Sequence, residues 1–498
     1  MGLIARQSFK SATVTYLGVV LGVINTMFVY TKMLSVEQFG EITFLHTSAA
    51  IFASLLLFGL GGVLVRFYPK FRTSEEKSRS LLKLVFGVLF LNSLLFISAA
   101  LLFKEELFGL LTAEEGVYLG TSYAIIAMAV AQGFIKLFTS LASIHGRIAI
   151  PSLLTQLIKV TQPLLVLLLF FKFIDFEEVI LGIMFYYILL ALVYFFYVNR
   201  LEKIPLTLKV NNYPFRTKPL FYFALFSIFT SLGSILMNQI DVVMITKILG
   251  KYSTGLYGWS LFIPNSIAIP YSLLGAISTP LIAKYWKNND LNSLDKLYKQ
   301  SSSTLLGISL GLFSCVIVGL DDLYMLMPKG EEYSLGKNLV IYLAIAKIVD
   351  MASGLNNAIL SMSSSFKTLL IFLLIAVISN VGFNLLFIPR YGVEGSAFAT
   401  LITILLYNLI KYSYIKIKYD LSPFTQKTIY IILLGLTVNA IGIAIPRTNQ
   451  PFLNIIAFSG TIGLSYFLIL YRFNLAPELN NFANKQLIRI GIKPFDRK

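Results

Sequence analysis

Fourteen apolar stretches, nearly free of charge, alternate with short polar segments along the 498 residues of this chain. The first seven are Ala12–Met33, Ile42–Val65, Leu84–Phe103, Tyr118–Leu141, Ile148–Phe170, Val179–Val198 and Leu220–Leu249. The others are Leu256–Ile282, Ser303–Leu320, Leu339–Leu360, Thr368–Pro389, Val393–Ile410, Thr428–Ile445 and Phe452–Tyr471. About 18 apolar residues in helical form cross a ~30 Å hydrocarbon layer. The pattern predicts an all-α integral membrane protein with about 14 transmembrane helices and little outside the bilayer.

The intervening segments alternate in charge. With the N-terminus placed inside, the inner segments hold 29 of the 41 Lys and Arg residues. Basic residues accumulate on the cytoplasmic side of membrane proteins, so the expected location is a bacterial inner (cytoplasmic) membrane, multi-pass, with both termini cytoplasmic. Ala12–Met33 is long enough to span and no small-residue cleavage site follows it, so it reads as a retained helix.

Composition narrows the function. Charged residues make up 13% and hydrophobic residues 57%, against about 25% charged in soluble domains. The net charge of +17 is spread over many short inner segments with no domain to present it as a groove. No nucleic acid partner is expected; the charge suits topology and anionic headgroups. The single cysteine, Cys315, lies in a span, so no intramolecular disulfide is possible. No segment outside the spans could fold as a catalytic domain. Asp321-Asp322, the only adjacent aspartate pair, lies in a short outer loop, so the expectation is no enzyme. A membrane transferase or polymerase, or a scaffold, would be the alternative from another class.

The chain also repeats. Lys32-Met33-Leu34 with Gly40 matches Lys247-Ile248-Leu249 with Gly255 at a constant offset of six spans. An even number of spans preserves orientation, so the halves are expected to be parallel repeats about an axis along the membrane normal. The expected organisation is an N-terminal six-helix bundle (1–198), a cytoplasmic connector (199–219) and a C-terminal six-helix bundle (220–414). An appended helix pair (415–475) and a basic cytoplasmic tail (476–498) follow. Two such bundles would enclose a central cavity. Pro264, Pro270 and Pro280 predict a bent eighth span lining it, since proline removes a backbone hydrogen bond.

Ionisable residues inside a membrane are costly and usually face a cavity or a partner. Lys159 falls mid-span, with Gln156 and Gln162 three residues to either side on one helical face. That stripe suits phosphate or hydroxyl groups; the alternative is a lysine paired to a buried acid. Lys347 and Asp350 stand at i, i+3 spacing and could pair with each other, with Asn356 and Asn357 further along. Asp241, beside Asn238 and Gln239, is a candidate proton or sodium site. Asn25 is among the few polar side chains of the first span. Lys136 is expected to snorkel to the interface, and His46 to be a packing residue. Arg66 opens a basic cluster with Lys70, Arg72, Lys77 and Arg79 that could attract a pyrophosphate.

Several segments resemble the polysaccharide-export flippases of the multidrug/oligosaccharidyl-lipid/polysaccharide exporter superfamily. They are Asn238-Gln239-Ile240-Asp241-Val242 running through Lys247-Ile248-Leu249-Gly250 to Thr254-Gly255-Leu256-Tyr257, and Asn384-Leu385-Leu386-Phe387-Ile388-Pro389-Arg390-Tyr391-Gly392-Val393-Glu394-Gly395-Ser396-Ala397. Gln7-Ser8 and Glu37-Gln38-Phe39-Gly40 are similar as well. The resemblance implies a flippase moving undecaprenyl-pyrophosphate-linked oligosaccharide to the outer leaflet by alternating access, for O-antigen, capsule or exopolysaccharide. The layout is also similar to that of lipid II flippases, but Ala12–Tyr30 lacks the charges of their first helix. A drug/cation antiporter of the same fold is the other alternative; it should present net acidic sites.

On this reading Lys159, Gln156, Gln162, Lys347, Asn25 and Arg66 bind substrate, and Asp241 and Asp350 couple an ion. No Gly-x-x-x-x-Gly-Lys-[Ser/Thr] loop occurs, so ATP is not the direct drive. No cofactor or metal is expected, only H+ or Na+ as coupling ion, or the membrane potential itself. The expected partners are the lipid-linked oligosaccharide, membrane lipids, and a polysaccharide polymerase with other pathway enzymes; a monomer would suffice.

Overall fold

The computed structural model describes residues 3–103, 106, 109, 119–205 and 213–489. All regular structure among them is helical. Among the described residues, eleven helices are long and apolar enough to cross a membrane, or twelve if the bent pair Lys337–Ala352 and Asn356–Met362 forms one span.

Two of the eleven are exceptionally long, and each folds back on itself. Lys218–Ser260 has non-helical backbone at Gly250 (φ 82°, ψ −177°). Thr246 and Thr254 hydroxyls meet across that turn at 2.8 Å, and Tyr257 donates to Asp241 at 2.8 Å. Phe366–Tyr419 breaks likewise at Gly392 (φ 60°, ψ −142°). Ser396 donates to Asn384 at 2.6 Å, and the Ser365 and Tyr419 hydroxyls meet at 2.7 Å. Such antiparallel pairing makes each element a hairpin. That backbone region is essentially restricted to glycine, which explains Gly250 and Gly392. Phe366–Tyr419 holds two of the fourteen apolar stretches, and Lys218–Ser260 holds one and the start of the next, so the helix count falls below the stretch count. Tyr118, the start of the fourth stretch, lies outside the described residues.

The chain divides into two compact units, Met1–Gly258 and Trp259–Lys498. The boundary falls within the last turn of the first hairpin. In the first unit, α1 (Leu3–Ile24) continues through a π-helical turn, Asn25–Val29, to Tyr30–Met33. Ser35 then opens α2 (Val36–Leu57) with a capping box: Gln38 N–H donates to Ser35 Oγ at 3.1 Å, and Ser35 N–H to Gln38 Oε1 at 2.9 Å. Left-handed Phe58 and Gly59 end α2, and α3 (Leu60–Phe71) follows at an angle. The unit continues with α4 (Glu75–Leu102), α5 (Leu119–Ile144), α6 (Ala149–Gln156), α7 (Ile158–Phe170) and α8 (Phe176–Leu201). Its core includes Leu64, Tyr68, Leu82, Leu89, Phe138, Leu141 and Tyr194. The Tyr194 hydroxyl donates to the Pro151 carbonyl at 2.8 Å.

In the second unit, breaks at Leu261 and Ala268 divide the proline-rich span into Phe262–Ile267 and Ile269–Lys287. The long helix α9 (Leu291–Leu326) is its spine. Against it pack the C-terminal helices α10 (Gln426–Ala444) and α11 (Gly460–Arg472), through Leu306, Val318, Ile431, Ile462, Tyr466 and Leu470. Small residues allow the approach. A Cβ on Gly442 would lie 2.4 Å from Val318, and one on Gly463 would lie 2.6 Å from Cys315. Between helices in lipid, such close packing supplies much of the association energy. Asp322, 3% exposed, accepts from Arg447 and, at 2.7 Å, from Asn454. Asp321 pairs with Lys337 at 2.6 Å. The aspartate pair is thus engaged by two structural cations.

Candidate functional site

The first unit gathers a polar cluster on the π-helical turn after α1 and on α2, α6, α7 and α8. Pro163 lies inside α7, so the carbonyl four residues before it, that of Lys159, has no intrahelical donor. Asn25 supplies one: its Nδ2 donates to Lys159 O at 2.6 Å. Asn25 is 7% exposed and begins the π-helical turn; π-bulges are frequent at functional sites. The Lys159 side chain is half-buried, and no acid pairs with it among the described residues.

Gln162 is buried, and its Oε1 lies 3.1 Å from His46 Nε2. His46 Nδ1 lies 3.4 Å from the Tyr187 hydroxyl. An imidazole carrying its proton on Nε2 donates to Gln162 and accepts from Tyr187, so this chain is satisfied with the ring neutral. Gln156 packs over Gly18, where a Cβ would lie 2.1 Å from its Oε1. The helix breaks at Leu157, between Gln156 and Lys159. The structure therefore brings Asn25, Gln156, Lys159 and Gln162 to one helix junction and adds His46. Arg66 stands apart on α3, exposed, with its guanidinium 4.5 Å from the Phe223 ring centroid.

Asp241 is 3% exposed and bonded to Tyr257 inside the first hairpin. Beside that hairpin the repeated glycines meet. A Cβ on Gly40 would lie 2.0 Å from Lys251 O, and one on Gly255 would lie 2.0 Å from Val36 O. Lys251 and Val36 are themselves separated by the repeat offset, so the crossing is two-fold symmetric. Glu41, 3% exposed, pairs with Lys251 at 3.3 Å and accepts from Thr121 at 2.5 Å.

The second unit holds another network. Lys347 and Asp350 are both half-buried and make no ion pair with each other. Asp350 instead accepts from Asn408 at 3.1 Å, and Asn408 accepts from Asn356 at 2.9 Å. Lys411, fully buried, donates to Asn356 Oδ1 at 3.1 Å and Asn357 Oδ1 at 3.0 Å, and its Nζ sits 3.8 Å from the Tyr407 ring centroid. Gly354, at φ +61°, breaks the helix immediately before the two asparagines.

Sequence reasoning missed Lys411 because it directly follows the twelfth apolar stretch, Val393–Ile410, and reads as a loop cation. Its i, i+3 partner Asn408 was the available signal. Lys136 also differs from expectation: it donates inward to Ala50 O at 3.2 Å, a carbonyl in the middle of α2, instead of snorkelling. No group of three metal-ligating side chains occurs among the described residues.

Helical hairpins, broken spans and buried amide–cation networks define a polytopic membrane protein. A family model described as polysaccharide biosynthesis protein matches residues 4–286, more than half of the chain. The chain belongs to that family. The structure of the lipid II flippase MurJ in an inward closed conformation superposes with a TM-score of 0.75 at 16% identity, covering 93% of this chain and 99% of that one. An inward-facing multidrug resistance MATE family transporter of the MOP superfamily gives 0.63 at 12% identity, covering 81% and 94%. An uncharacterized membrane protein of Methanocaldococcus jannaschii is 26% identical over 174 residues, 35% of this chain and 40% of that protein's length. The fold is therefore that of the multidrug/oligosaccharidyl-lipid/polysaccharide exporters, which are transporters and flippases.

Proposed function

We propose that this protein flips undecaprenyl-pyrophosphate-linked oligosaccharide from the cytoplasmic to the outer leaflet of a bacterial inner membrane, with both termini cytoplasmic. The observation that carries this reading is Lys159. A mid-span ammonium with no acidic partner among the described residues, held at a proline-broken turn with amide side chains around it, suits a phosphate or sugar hydroxyls. Lys411 adds a second buried cation, whereas drug-cation export would favour exposed acids. The membrane-embedded charge therefore leans toward an anionic substrate.

The energetics explain the need. An unpaired hydroxyl costs about 4–8 kcal/mol in hydrocarbon on a cyclohexane scale, so a sugar chain requires a polar path exposed alternately to either side. With the inside negative, each exported negative charge gains roughly 2.3 kcal/mol per 100 mV. The potential, or counter-transport of H+ or Na+ at Asp241 or Asp350, supplies direction. Product would pass to a polysaccharide polymerase, and one copy of the chain suffices.

Deletion should trap lipid-linked oligosaccharide on the cytoplasmic leaflet. Lys159→Ala should lower flipping at least tenfold, with Lys159→Arg retaining most of it. Full export by Lys159→Ala, Lys347→Ala and Asp241→Ala alike would remove these site assignments. Accumulation of lipid II on deletion would instead make the chain a lipid II flippase, and unchanged lipid intermediates with lost drug efflux would make it an antiporter.

A further inference from the structure

The first unit carries two cavities that neither Lys159 nor the hairpin residues touch. One is an apolar groove of about 440 Å³ between α4, α5 and α8, lined by Phe86, Ala131, Phe134, Phe138 and Phe195. It ends at Ile204. The other, about 560 Å³, lies at the start of α4 between Arg79, Ser80, Lys83 and the non-helical segment Lys203–Pro205, and it too is bounded by Ile204. Ile204 thus lines both, so the greasy slot and the polar mouth are neighbours along one face.

The charges of that mouth are three basic and two acidic. Glu75 and Arg79 pair at 3.3 Å. Both acids, Glu75 and Glu76, occupy the first turn of α4, where the helix dipole offsets negative charge. Lys83 is half-buried at the mouth's inner wall, and Lys203 is exposed on the facing segment. The walls of the slot belong to apolar spans, so its occupant arrives through the bilayer. The mouth lies at the level where those spans reach water. A molecule filling both needs a hydrocarbon chain attached to an anionic head.

We propose that these adjoining cavities together bind one anionic glycerophospholipid, with an acyl chain in the slot and its phosphate between Lys83 and Lys203. The leaflet, though not the site, rests on the orientation proposed above, which makes it the cytoplasmic one. Its position on the α4–α5–α8 face separates it from the Lys159 cluster. The bound lipid would brace α4 and α8, the two helices whose ends form the mouth.

Native mass spectrometry of the full-length protein, titrated with phosphatidylglycerol or phosphatidylcholine, tests this. Phosphatidylglycerol adducts should exceed phosphatidylcholine adducts at least fivefold. Lys83→Ala with Lys203→Ala should erase that preference, and Ala131→Trp, which fills the slot, should reduce binding of both lipids. If the tryptophan variant fails to fold, the lysine pair alone still decides. Equal retention of the two lipids, or a preference that survives the lysine substitutions, would overturn the site. Displacement of phosphatidylglycerol by equimolar undecaprenyl phosphate would overturn it in favour of a carrier-lipid site. Flipping is not part of the readout, so failure here leaves the proposed function standing.

Discussion

Asn25 and Pro163 act as a pair although 138 positions separate them. The proline orphans the Lys159 carbonyl, and the asparagine amide satisfies it. Removing one partner of a buried hydrogen bond costs about 1–3 kcal/mol. Asn25→Ala should lower the melting temperature, and adding Pro163→Ala, which restores a helical donor, should recover part of the loss. Thermal unfolding of the two single variants and the double gives the coupling. A further residue-scale expectation concerns His145, in the turn after α5. Burial holds its imidazole below the ordinary histidine value, against the attraction of Glu202 at 3.6 Å. The folded state therefore prefers the neutral ring, while the unfolded chain protonates near pH 6.5. The stability this contributes is present above about pH 6.5 and is lost as pH falls below it. Melting curves of His145→Gln between pH 7.5 and 5 should be flatter than those of the parent.

At the scale of elements, hydropathy located the spans but not how they end. Gly250 and Gly392 sit between apolar stretches, where a loop was expected; the structure keeps helical turns up to each glycine and reverses there. Apart from Gln7-Ser8, the segments that carried the family resemblance include these two turns and Gln38 of the Ser35 capping box, so part of the resemblance lies in residues that serve chain reversal and capping. Lys159 with Gln162 was legible from spacing, because a charge on a greasy helix stands out. The Asn25 contact was not, since it depends on which helix lies opposite Pro163. Asp350 was legible as an embedded acid, but its partner Asn408 comes from a helix far along the chain. Gly40 shows the same limit: only the structure places backbone against it. Gly40→Ala and Gly255→Ala should each cost about 1–3 kcal/mol by overpacking, more than an alanine at Gly120, where nothing lies within 4 Å. Fluorescence-detected size exclusion after graded heating would rank the three.

For the whole molecule, the charge asymmetry makes a direct expectation about sidedness. Cys315 is the only cysteine, and replacing it with serine leaves a background for single-cysteine labelling. Lys203→Cys should react with a membrane-impermeant maleimide only after the cells are opened, and Thr448→Cys should react in intact cells. The reverse pattern would invert the assigned orientation. The crossing at Gly40 and Gly255 is two-fold symmetric. A contact in which two segments present the same backbone to each other is the geometry of a symmetric homodimer interface, here found inside one polypeptide. The surroundings are not held to that symmetry: Glu41 and Lys251 form an ion pair, whereas the positions related to them by the repeat, Leu256 and Val36, are apolar. The glycines have no such latitude, because neither can acquire a side chain without striking the backbone opposite.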